Sequence, residues 1–187
     1  MDDLDALELA GAALEPRLSA VDVDQLERPS SCQGWSIYDL VNHVNGGAHR
    51  YLLLLRGASA EQLTGTRAQD HVRPNPLKSY RYWQRPLVAS FAEPRALTGV
   101  VHHPVGDRSG LDLLRMRTLD LALHAWDLAR SLDLDQALDT QLISYLLSRC
   151  MYLVDELREH GLYAPATRQH PESSTSLQAL LKRTGRF

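Results

Sequence analysis

Apolar residues recur every three or four positions along most of this chain, the pattern of helices that each bury one face. In residues 3–20, Leu4, Leu7, Ala10, Ala13, Leu14 and Leu18 form such a stripe, which Pro16 is able to kink. A loop of Pro29-Ser30-Ser31-Cys32-Gln33-Gly34 follows, and then Ser36 with Asp39 three residues on, the spacing of a capping box. The apolar pattern runs from there to Leu55 and stops at Gly57, so a second helix is expected over 36–56. Residues 57–76 hold Gly57, Gly65, Pro74 and Pro76 among few apolar positions and read as a long surface connection, of a length that suits a crossover between bundle helices. A shorter helix is expected over 77–93, kinked or broken by Pro86, which lacks an amide proton and clashes with the preceding turn.

Further along, Thr98 to Gly106 predicts a short extended segment closed by a turn. From Leu111 to Leu132 the chain is helical and apolar on most sides, which marks a helix surrounded by protein. Residues 136–159 repeat the pattern through Leu138, Leu142, Tyr145, Leu146, Met151, Leu153, Val154 and Leu157 and end at Gly161. A polar tail, 163–175, leads to a last short helix around Leu177–Leu181. No repeat, low-complexity tract or composition break interrupts 1–187, so one all-α domain, a helical bundle with peripheral additions, is the expected assembly.

Composition agrees with that picture: 44% hydrophobic and 23% charged residues in 187 are ordinary values for a globular chain. A net charge of −3 offers no field for a nucleic acid or an anionic membrane, so neither is an expected partner. The start, Met1-Asp2-Asp3-Leu4-Asp5, is acidic where a secretory signal is basic, and no apolar run approaches the roughly 20 residues of a membrane span. A cytoplasmic location is expected. Cys32 and Cys150 stand far apart, without zinc-ribbon spacing, and read as free thiols. Cys32 lies just before a helix, where a nucleophile is conceivable, but no local histidine supports that role.

The chemistry concentrates in the central helix, where Asp120, His124 and Asp127 fall on one stripe at spacings of four and three. A bare carboxylate in a buried helix costs several kcal/mol unless a cation, donors or a proton neutralise it. The second helix offers a complement in His43, among Leu40, Val41, Val44 and Gly47; Gly46 and Gly47 leave room for close helix approach or for a ligand. His43, Asp120 and His124 together make the three-ligand set of a catalytic zinc site with a place left for water or substrate. The same set suits Fe(II), Ni(II) or Mn(II). Asp127 is better placed to orient an imidazole than to ligate. The alternative is a satisfied core histidine beside two helix-surface acids, and spacing alone does not choose between the two. His102 and His103, before Pro104, read as a solvated loop in preference to the lining of a pocket mouth; His49, His71, His160 and His170 have no evident partner. Trp35 and Trp126 read as core or pocket-wall aromatics, and Arg50, Arg73 and Arg117 as groups that could meet an anionic substrate, with nothing to select among them.

The segments Cys32-Gln33-Gly34-Trp35-Ser36-Ile37-Tyr38-Asp39-Leu40-Val41-Asn42-His43 and Asp120-Leu121-Ala122-Leu123-His124-Ala125-Trp126-Asp127-Leu128-Ala129 resemble the two signatures of the DinB-like superfamily. The nearest branch is that of actinobacterial proteins related to mycothiol-dependent maleylpyruvate isomerase, and the stretch from Gly161-Leu162-Tyr163-Ala164-Pro165 to Leu177-Gln178-Ala179-Leu180-Leu181 is similar to its small single-domain members. The resemblance implies a four-helix bundle of up-down-down-up order with a long crossover, and metal ligands at His43, Asp120 and His124. The isomerase-like pattern places Glu where this chain has Asp120, and the resemblance does not extend to the isomerase's additional C-terminal domain.

It also implies mycothiol as cosubstrate of a transferase or isomerase acting on a small electrophile, with the metal holding the thiol as thiolate. A metal-dependent hydrolase using bound water and a non-catalytic, stress-associated metal-binding protein stand as alternatives. Bundles of this kind often pair through outer helix faces, which makes a homodimer compatible with the reading.

Overall fold

Helices begin in this protein where a short polar side chain accepts a backbone amide three residues on. Asp2 does so for α1 (Asp3–Ser19), Ser36 for α2 (Ile37–Leu55), Asn75 for α4 (Pro76–Phe91), Ser109 for α5 (Gly110–Ser131) and Thr175 for α8 (Ser176–Arg183). In this computed structural model, residues 1–161, 163 and 175–186 are described. The remaining elements are α3 (Ala60–Gly65), α6 (Thr140–Arg149), α7 (Met151–Glu159) and an antiparallel hairpin of β1 (Val100–His103) and β2 (Gly106–Ser109) that pairs Val101 with Arg108.

Helices α1, α2, α4 and α5 form the bundle, and side-chain pairs give their directions. Asp3 at the start of α1 accepts from Arg115 early in α5, while Arg17 at its end donates to the carbonyls of Asp135 and Ala137 just past α5, so these two run parallel. Ser31, before α2, donates to the Asp127 carbonyl late in α5, and Arg117, a few turns earlier in α5, reaches the Val44 carbonyl, so α2 runs opposite to α5. Asn45 donates to the Pro76 carbonyl and His49 stacks on Trp83 at 3.7 Å, which makes α2 and α4 parallel. The order is up-down-down-up, and the connection between α2 and α4 is the long crossover. The fold is all-α and DinB-like, as expected.

Leu7, Leu14 and Leu18 of α1, Leu40 and Val44 of α2, Tyr80 and Leu87 of α4, and Leu113 and Leu121 of α5 meet in the core. Each fully buried aliphatic side chain contributes about 1.5–3 kcal/mol. Every residue from Leu121 to Ala129 is buried, so α5 is the central helix that its mostly apolar pattern predicted. Its start is fitted tightly: a Cβ on Gly110 would lie 1.8 Å from the Ala96 carbonyl oxygen.

Three expectations are corrected. The 57–76 connection is not bare loop, because Ser59 and Gln62 form a capping box that starts α3. Pro86 does not break α4, which continues through it to Phe91. The carbonyl one turn earlier belongs to Tyr82, 70% exposed, where water can replace the missing amide. Residues 136–159 are two helices: at Cys150 (φ −116°, ψ −10°) the chain turns, and the thiol is buried in the core at the joint. The apolar spacing runs through this break because both helices bury the same side. Most of the polar tail, 164–174, lies outside the described residues.

Candidate functional site

The loop before α2 builds one wall. The Trp35 amide donates to the Cys32 carbonyl across a tight turn in which Gly34 sits at φ +79°, a left-handed position that suits glycine. The turn sets Trp35 against His43 (ring centroids 4.9 Å) and His124 (6.1 Å). Ser36 starts α2 two turns before His43, so its capping box fixes the register that points His43 toward α5.

From α5, Asp120 and His124 face His43. His43 Nε2 is 3.2 Å and His124 Nε2 3.5 Å from Asp120 Oδ1, and one ligand atom from each of the three residues lies within 4.8 Å of the others. The other carboxylate oxygen is taken: Arg117, with no exposed surface, donates to Asp120 Oδ2 at 2.7 Å, to the Val44 carbonyl at 3.0 Å and to Gln84 Oε1. Burial alone would raise the Asp120 carboxyl. The hydrogen bond with His43 and the fixed charge of Arg117 reverse this and hold it well below the usual carboxylate range. Burial pushes the His43 imidazole down, toward the neutral form that can ligate.

Behind His124, Asp127 Oδ2 lies 2.8 Å from Nδ1. A carboxylate only accepts, so Nδ1 carries the proton and Nε2 turns a lone pair toward Asp120 Oδ1. Two acceptors facing each other at 3.5 Å need a proton or a cation between them. The donor set therefore fits a divalent ion held by two imidazole nitrogens and one carboxylate oxygen. Cys32, His124 and Asp127 also converge within 4.8 Å, but Arg186 donates to both Asp127 oxygens at 2.8–3.1 Å and sets a fixed positive charge where a cation would sit. Burial, and then Asp127, push the Cys32 thiol up to about 12. That corner is a hydrogen-bonded support.

The three facing groups open on a cavity of about 750 Å³, a size that holds a small ligand. Trp35, Tyr51, Met116, Trp126, Leu157 and Tyr163 give it apolar walls, and Arg50 and Arg67 line it together. Arg50 donates to the His43 carbonyl, while the Arg67 side chain makes no ion pair or hydrogen bond among the described residues.

Of the arginines considered for an anionic substrate, Arg50 alone has its charge at the cavity. Arg73 pairs with Asp70 and lies over Tyr38, and Arg117 is consumed in the core. Both Trp35 and Trp126 are cavity walls. His103 also lines the cavity, contrary to the solvated-loop expectation, because the hairpin folds it inward while His102 stays out, paired with Asp107. His49 and His71 are partners, with ring nitrogens 3.1 Å apart. His170 lies outside the described residues. Arg67 and Arg186 were missed, since an isolated arginine in a polar stretch carries no local signal of what it faces.

A model of the mycothiol maleylpyruvate isomerase N-terminal domain matches residues 7–129. Two uncharacterized proteins of Mycobacterium tuberculosis, from strains CDC 1551 / Oshkosh and ATCC 25618 / H37Rv, are each 29% identical over 192 residues, covering 100% of this chain and of theirs. Crystal structures of the mycothiol-dependent maleylpyruvate isomerase and of a histidine-to-alanine mutant of it superpose with a TM-score of 0.59 at 21% and 20% identity, over 68% of this chain and 60% of the isomerase. That likeness is one of fold. With about two thirds of its length matched, including α2 and α5, which carry His43, Asp120 and His124, the chain belongs to the mycothiol maleylpyruvate isomerase N-terminal domain family.

Proposed function

We propose that this chain is a divalent-metal-dependent enzyme that uses a low-molecular-weight thiol, of the mycothiol class, to transfer to or isomerise a small electrophile carrying a negative group. The observation that carries the reading is the 3.5 Å approach of His124 Nε2 to Asp120 Oδ1, with His43 Nε2 closing the triangle at the wall of the cavity. Two imidazoles and one carboxylate suit zinc first, and Fe(II), Ni(II) or Mn(II) next. Held by His43, Asp120 and His124, such an ion would lower the pKa of a thiol brought to it, so that the sulfur is nucleophilic at neutral pH.

The chain's own groups do the rest. Arg117 turns one oxygen of Asp120 away and leaves the other facing the two histidines. Asp127 holds the His124 ring by its far nitrogen. Trp35, Trp126 and Tyr163 give the cavity an apolar wall, beside which charge interactions are stronger than in open water. Arg50 and Arg67 place two positive charges on the cavity lining, which favours a carboxylate-bearing electrophile over a neutral one. A transferase would leave the new carbon–sulfur bond in the product; an isomerase would break it again after bond rotation.

Metal analysis of protein purified without chelators, with turnover assayed with and without the thiol, tests the reading. Stoichiometric divalent metal that is lost in His43→Ala and Asp120→Ala, with turnover that requires the thiol, is the expected result. Equal metal content in all three forms, or turnover indifferent to thiol, overturns it.

A further inference from the structure

The chain beyond α8 reaches the site from the far end of the sequence. Gly185 adopts φ +75°, the Arg186 amide donates to the Leu181 carbonyl at 2.8 Å and the Gly185 amide to the Lys182 carbonyl at 3.2 Å. This is the helix-ending turn in which glycine occupies the left-handed position and the next residue is swung back across the last turn. The helix it ends is anchored independently: Arg158 donates to the Arg183 carbonyl at 2.6 Å, and Arg183 pairs with Asp155 at 3.0 Å. Arg186 is thereby aimed into the cavity wall, where its Nε lies 3.0 and 3.1 Å from the two Asp127 oxygens and its Nη2 2.8 Å from Oδ2.

Asp127 is 2% exposed, so water cannot supply its donors. Its carboxylate is held by the Arg186 fork and the His124 Nδ1 proton, with the Cys32 thiol beside them. A terminal carboxyl torsion is broad when unconstrained, and a fork that bonds both oxygens fixes its plane. With the plane fixed, Oδ2 is aimed at His124 Nδ1, and the imidazole is confined to the form with its proton on Nδ1 and its Nε2 lone pair toward Asp120.

We propose that Arg186 is a positioning residue: by gripping both oxygens of Asp127 it locks the ring orientation and tautomer of His124, and so sets the direction of the Nε2 lone pair at the centre shared with His43 and Asp120. The inference rests on the proposed function only for its metal readout. The tautomer is a property of the chain alone.

The test is two-bond proton–nitrogen correlation NMR on histidine-labelled protein, which reads which ring nitrogen carries the proton, paired with zinc titration. In the wild-type chain His124 is expected with its proton on Nδ1. Arg186→Ala should lose that single tautomer and weaken zinc binding by about 10–100-fold. Arg186→Lys should restore only part of both, since an ammonium supplies charge without the fork. Asp155→Asn, which loosens the helix anchor and leaves Arg186 in place, should lower stability and leave the His124 tautomer unchanged.

A folded Arg186→Ala protein with the wild-type tautomer overturns the proposal. So does an Asp155→Asn protein that shifts the tautomer equally, because Arg186 would then be only a tail anchor. If Arg186→Ala does not fold, Arg186→Lys and Arg186→Gln are read on the same two scales, and wild-type behaviour in both overturns it. Should the wild-type chain take up neither zinc nor Fe(II), Ni(II) or Mn(II), the metal-dependent reading fails while the tautomer measurement still decides the role of Arg186.

Discussion

Gly47 of α2 and Arg117 of α5 meet with no space for a side chain between them: a Cβ on Gly47 would lie 2.9 Å from Arg117 Nη1 and 3.6 Å from Asp120 Oδ2. The missing side chain lets the guanidinium lie flat against α2, where one nitrogen serves both the Val44 carbonyl and Asp120. Arg117 is fully buried and also holds Gln84, so it cannot swing aside to relieve a clash. The close helix approach and the orientation of the candidate ligand Asp120 are one structural fact.

Gly47→Ala is therefore expected to destabilise the fold by about 1–3 kcal/mol, the usual cost of overpacking, and to lower metal content as Asp120 turns. Removing the guanidinium with Arg117→Met leaves the carboxylate short of donors and should cost more, about 3–5 kcal/mol. Urea unfolding and metal analysis of the two variants check this; a Gly47→Ala protein equal to wild type in both would show that the contact is slack.

Acid should lower the stability of the protein over two pH windows. Burial, with Arg108 adding to it, holds His103 down at about 4, against 6.5 for an unperturbed histidine. Between those values the unfolded chain binds more protons, so stability falls as pH drops through that window. Asp127 acts lower. Burial alone would raise it, but hydrogen bonds from His124 and Arg186 outweigh this and hold it at about 2, against 3.8. Its contribution is complete above the unfolded value and is lost as pH falls from about 4 to about 2. Urea midpoints measured across both ranges should show His103→Gln flattening the upper one and Asp127→Asn the lower. A slope unchanged by either substitution contradicts the assignment.

The cationic lining of the cavity should discriminate by charge. Arg67→Ala is expected to raise KM for a carboxylate-bearing electrophile several-fold, equivalent to about 1 kcal/mol for a part-solvated charge pair, and to leave a neutral analogue of the same shape unaffected. Steady-state kinetics at low and high salt separate the cases, because the effect should shrink as salt screens it. Equal changes for both substrates would mean that Arg67 shapes the cavity and does not read charge.

Much of this architecture is already written in neighbouring residues. Ser36 and Asp39 mark the start of α2, Gly57 its end, and the mostly apolar stretch from Leu111 to Leu132 announces a buried α5. Each signal acts over one or two helical turns, the range over which caps and periodicity work. For the same reason Asp120, His124 and Asp127 could be placed on one stripe, and His43 on the inward side of α2. Pro86 and Cys150 show the limit. Whether a proline interrupts a helix depends on whether water reaches the freed carbonyl, and a continuous apolar stripe cannot report that two helices turn toward one core.

What proximity along the chain leaves open is which distant groups meet. His43 and Asp120 are 77 residues apart and Asp127 and Arg186 59, yet their contacts set the geometry of the cavity wall. Those pairings follow from packing: α2 can approach α5 closely because Gly47 has no side chain, and Arg186 arrives because Gly185 turns the chain back after α8. Periodicity decides which face of a helix is buried; the burial of every helix at once, in a volume too small to leave a charge unpaired, decides which charge answers which.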